Sequence, residues 1–264
     1  MSEEPRFSRI RLMVGDAGLA RLRRSFVVVA GLGAVGSYAV EALARAGVGR
    51  LRLVDFDEIR PSNVNRQLYA LASTLGRPKC EEALRRVLDI QPDCRAEALK
   101  LFVDASTVGT VLEGPPDLVI DAIDSLNPKA ALLQACAGAG LRVISSMGAA
   151  LRTDPTLIRV GPLREARNCP LASRVRYVLR RRGVEPAMTC VYSLEPAGPL
   201  GRRATSAEEA AKEPGLDRGR KRPAFGSLPT LTGIFGLTAA NEALRVLLGD
   251  DFPGQPPQQP GVAQ

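Results

Sequence analysis

The sequence predicts an α/β protein built on a doubly wound, mostly parallel sheet, with a C-terminal extension that adds strands and an apolar helix. Two observations carry that reading. The loop Gly31-Leu32-Gly33-Ala34-Val35-Gly36 sits between a continuous apolar run and an amphipathic stretch, the order of a strand, a phosphate-cradling turn and a helix. Short apolar runs then alternate with stretches of helical period through about residue 150, which implies parallel strands joined by helices.

Taken in order, residues 6–24 mix basic and apolar positions (Arg9, Ile10, Arg11, Leu12, then Leu19 and Leu22) and read as a leading helical arm. Residues 25–30, with Val27, Val28 and Val29 unbroken, form a buried strand. Across 34–46, Val35, Tyr38, Ala39, Ala42, Leu43 and Ala46 recur at helical spacing, and Gly47 and Gly49 end that helix. A strand at 51–55 closes the first unit. A helix over 79–90 and strands over 96–103 and 117–121 follow, then a helix over 128–139 and a strand over 141–147. Residues 25–150 thus read as a Rossmann-like nucleotide-binding core.

Residues 151–248 read as an extension for substrate binding or dimerisation. Strands over 156–160 and 189–193 flank a basic segment, 171–182. Residues 195–226, rich in Pro, Gly and charge, predict a mobile excursion. After Pro229, the residues Leu231, Ile234, Phe235, Leu237, Ala240, Leu244 and Leu247 read as a buried or interface helix. The Pro-rich tail over 251–264 predicts disorder, and no internal repeat is visible.

Composition narrows the chemistry. The 264 residues contain no histidine, which excludes a Ser-His-Asp triad, histidine-ligated zinc and imidazole proton shuttles. The five cysteines (Cys80, Cys94, Cys136, Cys169, Cys190) form no C-x-x-C pair, so a four-thiolate zinc site is not expected. Their odd number, with no secretory signal pattern, points to a reducing cytoplasm. A net charge of +8 suits a polyanionic partner, although an Arg-rich genome gives the same balance. The longest apolar stretch, near 228–248, is interrupted by Pro229, Gly233, Gly236, Asn241 and Glu242, and no membrane span is expected.

Several residues are placed to handle a nucleotide. Gly31 permits the tight turn, Gly33 lets backbone approach a phosphate, and Gly36 allows close helix–strand packing. Asp55, ending the second strand, has the position of a ribose ligand. Asp57 and Glu58 follow; a solvated turn explains either equally well or better. Asn63, Asn65, Arg66 and Gln67 bring amides and a guanidinium fork suited to phosphate oxygens. Lys79 opens a helix against the helix dipole, which local propensity does not explain. Asp121 and Asp124 end the strand across the crevice, and Asp124 is a candidate ligand for Mg²⁺, or else a helix cap.

The ordered set Gly-x-Gly-x-x-Gly, Val54-Asp55-Phe56-Asp57, Asn63 to Gln67, Gly76-Arg77-Pro78-Lys79 and Asp121 to Asp124 resembles the ThiF/MoeB/HesA adenylating family, relatives of ubiquitin-activating enzymes. The resemblance implies one ThiF-type domain over 6–248 that uses ATP and Mg²⁺ to adenylate a carboxylate. It assigns Gly33 and Asp55 to adenosine, Arg66 and Lys79 to the phosphates, and Asp124 to the metal. It also implies a homodimer whose leading arm reaches the neighbouring site, with Arg9 in that role and Arg6 and Arg11 competing for it.

Within that family, Asp121 to Leu132, Asp154-Pro155-Thr156, Asn168 to Ala172 and Cys190 to Glu195 resemble the bacterial dehydratase branch, which cyclises threonylcarbamoyladenosine beside the anticodon of certain tRNAs. The residues before Gly226 depart from that branch's small-residue loop. The partner implied is tRNA, with a cysteine-desulfurase-type sulfur partner left open. Arg174, Arg176, Arg180, Arg181 and Arg182 are the first candidate phosphate surface; Arg218, Arg220, Lys221 and Arg222 are the second. The alternative is adenylation of the C-terminus of a small ubiquitin-like sulfur carrier, against which the missing zinc cysteines weigh. Cys190 reads as a buried structural residue or, less readily, as a working thiol.

Overall fold

A computed structural model describes residues 5–196 and 225–253. The excursion expected over 195–226 and the tail expected over 251–264 lie, apart from their boundary residues, outside the described residues. One sheet contains seven strands: β1 (Phe26–Ala30), β2 (Arg50–Val54), β3 (Arg95–Leu99), β4 (Leu118–Asp121), β5 (Val143–Ser146), β6 (Ile158–Pro162) and β7 (Thr189–Ser193). Around it pack α1 (Ser8–Arg24), α2 (Gly36–Ala46), α3 (Lys79–Ile90), α4 (Val108–Leu112), α5 (Leu126–Gly138), α6 (Pro170–Arg181) and α7 (Pro229–Leu248). The strand order is β3-β2-β1-β4-β5-β7-β6, parallel throughout except that β6 runs antiparallel to β7.

Both faces of the sheet are covered, which is why its strands read as unbroken apolar runs. Val27, Val29, Leu51, Leu53, Leu118 and Ile120 join one core with α2, α3 and α7. Val28, Ala30, Val54 and Val119 join the other with α4, α5 and α6. The register sets Ala30 level with Val54 on one side and Asp121 on the other, and Asp121 level with Ser145. The carboxyl ends of four strands therefore share one edge. The strand order reverses between β1 and β4, which opens a crevice at that edge.

The structure departs from expectation in two places. The strand expected over 96–103 stops at Leu99, and α4 follows where no helix was expected. The cause is Asp104, whose Oδ1 accepts the amides of Ser106 at 2.8 Å and Thr107 at 3.1 Å and turns the chain into α4. That helix has a use. Arg52, buried in β2, donates through Nη1 to the carbonyls of Val111 at 2.9 Å and Glu113 at 2.6 Å, and pairs with Glu97 at 3.0 Å.

The buried helix expected after Pro229 is α7, which runs unbroken from Pro229 to Leu248. By length and composition it could cross a membrane, with a mean hydropathy of 1.2, but 56% of that window is buried inside the protein. Pro229 sits in the first turn, where its missing N–H costs nothing. Gly236 lies against α2: a Cβ there would stand 2.3 Å from the Val35 carbonyl oxygen. We expect Gly236→Ala to lower stability by about 1–3 kcal/mol in urea unfolding through this overpacking. Gly138→Ala, whose Cβ would meet nothing within 4 Å, should be neutral or stabilising by up to about 1 kcal/mol. Equal effects at both sites would show that α7 does not bear on α2.

Candidate active site

The glycine loop crosses the crevice with almost no clearance. Gly31 has φ of +87°, and a Cβ on it would lie 2.8 Å from the Ala122 carbonyl carbon and oxygen. A Cβ on Gly36 would lie 1.8 Å from the Gly31 oxygen. Gly33 differs, since its nearest neighbour is the Gln67 amide nitrogen at 3.5 Å. Backbone is therefore accessible at Gly33 and packed away at the other two. The N-terminus of α2 opens beside it, and Val35 at its cap provides no side-chain hydrogen bond, so the first-turn amides suit an anion.

Asp55 is buried under this loop. Its Oδ2 accepts the Leu32 amide at 2.7 Å and its Oδ1 accepts the Asp57 amide at 2.9 Å. Burial, with the nearby Asp57 charge, pushes its carboxyl above the usual range, against the opposing pull of Lys79 and the two amides. Lys79 is buried too and is not the solvent-facing residue its sequence context allowed: its Nζ pairs with Asp57 Oδ2 at 2.9 Å. That contact also takes Asp57 out of the solvated-turn reading. Glu58 keeps that reading, exposed and paired with Lys100 at 2.8 Å.

The segment 61–70 is seated on α2, where Leu68 donates to Ser37 Oγ at 3.2 Å and the Tyr69 hydroxyl donates to the Ser37 carbonyl at 3.2 Å. Within it, Asn63 is buried and its Oδ1 accepts the Arg60 amide at 3.1 Å, which makes its side chain a turn closure. Gln67 is buried beside Gly33. Arg66 lies on the rim, donating to Ser62 O at 2.9 Å and Asn65 Oδ1 at 2.8 Å.

Across the crevice, Asp124 is exposed at the carboxyl edge of β4. The N-cap position of α5 is Ser125, whose hydroxyl donates to Asp124 Oδ1 at 3.3 Å. Sequence reasoning missed the role of Lys129, which is fully buried and ion-paired with Asp121 at 2.6 Å. Its position eight residues after Asp121, inside an otherwise apolar helix face, was the available signal. Arg9 is not brought to this crevice. The start of α1 lies at the opposite edge, where Phe7 packs near Gly47 and Arg6 Nη1 donates to the Ile90 carbonyl at 3.3 Å.

Among the described residues no cluster of acids, cysteines or histidines resembles a metal-binding set. All five cysteines are buried. Burial pushes the Cys190 thiol, on β7, up to about 12 and does the same for Cys136.

A glycine loop opening onto a helix N-terminus, with carboxylates after neighbouring strands and a lysine at the start of α3, defines a nucleotide-binding α/β enzyme. The chain belongs to the ThiF family, whose model matches residues 7–262. It is similar to the tRNA threonylcarbamoyladenosine dehydratase of Bacillus subtilis, 42% identical over 249 residues that span 92% of this chain and 95% of that protein. The protein of the same name from Escherichia coli is 33% identical over 251 residues, 92% of this chain and 93% of its own. The fold matches the E. coli enzyme, TcdA, solved in complex with ATP, with a TM-score of 0.81 and 31% identity over 93% of this chain and 94% of that one.

Thiol titration checks the cysteine geometry. Because a thiolate is the reactive form, and all five thiols are buried, with those of Cys80, Cys94, Cys136 and Cys190 pushed above the usual range by that burial, native protein at pH 8 should show no fast-reacting group, and denatured protein should release all five. A cysteine that reacts within seconds in the native state would contradict the arrangement described.

Proposed function

We infer that this protein is an ATP-dependent dehydratase that cyclises N6-threonylcarbamoyladenosine in tRNA through an acyl-adenylate, releasing AMP and pyrophosphate. One observation carries the nucleotide half of this reading: Gly33 backbone and the open start of α2 face a crevice flanked by Asp55 and Lys79 on one side and Asp124 on the other. The acyl half is supported by full-length likeness to dehydratases of that name.

In this reading Asp55 accepts from the ribose, and the backbone at Gly33 and the start of α2 receives phosphate, while Gly31 and Gly36 supply the close packing that exposes it. Asn63 shapes the loop that carries Asn65, Arg66 and Gln67, whose donors face the nucleotide from its rim. Lys79 stays charge-paired with Asp57 until phosphate offers a second acceptor. A buried ammonium without either partner would be costly. Mg²⁺ fits here, because an exposed carboxylate beside a phosphate cradle is the donor set it takes; Asp124 would hold it, and bound there it would offset phosphate charge.

The threonyl carboxylate of the modified base attacks the α-phosphorus, and pyrophosphate leaves carrying the displaced electron pair. The acyl-adenylate is then attacked by an atom of its own carbamoyl side chain, which gives up a proton as the ring closes and AMP departs with the former carboxylate oxygen. The net change in the nucleoside is loss of water. Ring closure within one side chain gains from proximity. It needs no enzyme thiol, in keeping with the buried Cys190.

The tRNA surface in this reading is α6. Arg174, Arg180, Arg181 and Arg182 are exposed on it, whereas Arg176 is turned back to the Leu163 and Ala166 carbonyls. A groove of about 430 Å³ starts at Asn168, Cys169 and Pro170 and leads along this helix. Cys169 Sγ accepts the Gly148 amide at 3.4 Å, which ties the groove to the carboxyl edge of β5. The second basic candidate, Arg218 to Arg222, lies outside the described residues. Since Arg9 sits far from its own crevice, any role for it is in a neighbouring subunit. The exposed Leu12 and Met13 beside it are suited to the interface of such a homodimer.

The test is incubation with ATP, Mg²⁺ and tRNA bearing threonylcarbamoyladenosine, followed by nucleoside mass spectrometry. Loss of one water, matched by AMP, is expected. An unchanged nucleoside, with pyrophosphate exchange only in the presence of a small carrier protein, would replace this reading. Asp124→Ala should reduce AMP formation by about 10²- to 10³-fold in a folded protein. Arg66→Ala should weaken ATP use more than tRNA retention on a filter; the reverse order would reassign Arg66 to the tRNA surface.

A further inference from the structure

The ion pair between Asp121 and Lys129 has no part in the reaction as derived, yet it is the most completely satisfied polar cluster near the crevice. Both side chains are 0% exposed. The Lys129 ammonium has three protons to donate, and it has three acceptors: Asp121 Oδ2 at 2.6 Å, Ser145 Oγ at 3.1 Å and the Ser146 carbonyl at 3.0 Å. Asp121 Oδ2 also accepts the Ser145 hydroxyl at 2.6 Å, while its Oδ1 accepts the Ile123 amide at 3.1 Å. The ends of β4 and β5, the body of α5 and the turn leading to Asp124 are thereby tied at one point.

Stability alone does not account for this arrangement. Taking both charges out of water costs about what their attraction returns, and an apolar pair of similar volume serves a core equally well. What the pair provides is a fixed direction for the chain as it leaves β4. The Ile123 amide folds back onto Asp121, the Ala122 amide bonds the Ala30 carbonyl at 2.8 Å, and the Ala122–Ile123 backbone lies against Gly31. Asp124 is the next residue.

We propose that Asp121, Lys129 and Ser145 are positioning residues, which fix the turn over residues 121–125 so that Asp124 is presented to the nucleotide and its metal at the glycine loop. This rests on the reading of Asp124 given above. The three residues touch neither nucleotide nor acyl group. They act by removing the freedom of the turn, so their loss should be felt in turnover and in the metal dependence of binding more than in ATP recognition itself.

The deciding variant is Asp121→Asn combined with Lys129→Met in the full chain. Removing both charges avoids leaving one buried and unpaired, and Asn keeps the carbonyl that Ile123 uses, so the loss reads the missing tether. Three measurements are needed: the thermal midpoint, kcat and KM for ATP in AMP formation, and calorimetric affinity for a non-hydrolysable ATP analogue with and without Mg²⁺. The expected result is a folded protein with kcat lowered about 10- to 100-fold and KM for ATP little changed. Its affinity for the analogue without Mg²⁺ should be kept, and the further gain on adding Mg²⁺ lost. A folded double variant with wild-type kcat and the wild-type gain would overturn the proposal.

Should the double variant not fold, Ser145→Ala decides, since it keeps the pair and removes one tie. A reduced kcat with a reduced Mg²⁺ gain supports the proposal, and no change in either overturns it. Wild-type protein that forms no AMP on the modified tRNA would overturn the functional reading alone, because the Mg²⁺-dependent affinity still decides the role of the pair.

Discussion

Two stretches of backbone pass each other in van der Waals contact at the carboxyl edge of the sheet, and the site depends on that passage. One is the glycine loop after β1; the other is the turn after β4. A single Cβ on Gly31 would collide with Ala122, and one on Gly36 would collide with Gly31 itself. Contact this close lets α2 start directly over the strand ends, with no side chain capping its first turn. The same demand reaches the back of the helix, where Gly236 allows α7 to press on Val35. The glycines of α7, which look like helix breakers in one dimension, are in three dimensions the clearance that α2 requires.

Charge follows a parallel logic in a chain without histidine. Both lysines near the crevice are stored against carboxylates: Lys79 against Asp57 at 2.9 Å, and Lys129 against Asp121 at 2.6 Å. The first pair is partly open to solvent and can be rearranged by an incoming phosphate. The second is sealed and cannot. This difference separates groups suited to binding from groups suited to holding shape, and it is set by burial rather than by residue type. Chemistry that activates a carboxylate with ATP asks for oriented donors more than for a proton shuttle, which suits such a residue inventory.

Most of the fold was legible because its signals are local. Unbroken apolar runs announced strands covered on both faces, helical spacing announced α2 and α3, and the glycine loop announced its own position between a strand and a helix. What was not legible is non-local. One exception is local: the shortened β3 and the extra α4 follow from Asp104 accepting the amides of Ser106 and Thr107, two and three residues on. The buried Arg52 makes sense only once the carbonyls of α4 arrive beside it. The partnership of Lys129 with Asp121, Ser145 and Ser146 joins three elements whose proximity no periodicity reveals. Asp57 and Lys79 were visible as candidates, but their contact was not, because it needs the loop over residues 57–79 to close on itself. Arg9 is a different case: the resemblance gave it to a neighbouring subunit's site, and the fold places the start of α1 at the far edge from its own crevice.

The central claim is that the crevice between β1 and β4 holds a triphosphate. A crystal structure of the protein with a non-hydrolysable ATP analogue tests it most directly. The account predicts phosphate oxygens on the first-turn amides of α2, ribose on Asp55, and Lys79 Nζ within hydrogen-bond distance of a phosphate rather than held by Asp57 alone. A nucleotide seated instead in the groove along α6, or a crevice that accepts a nicotinamide dinucleotide and leaves the analogue unbound, would contradict it.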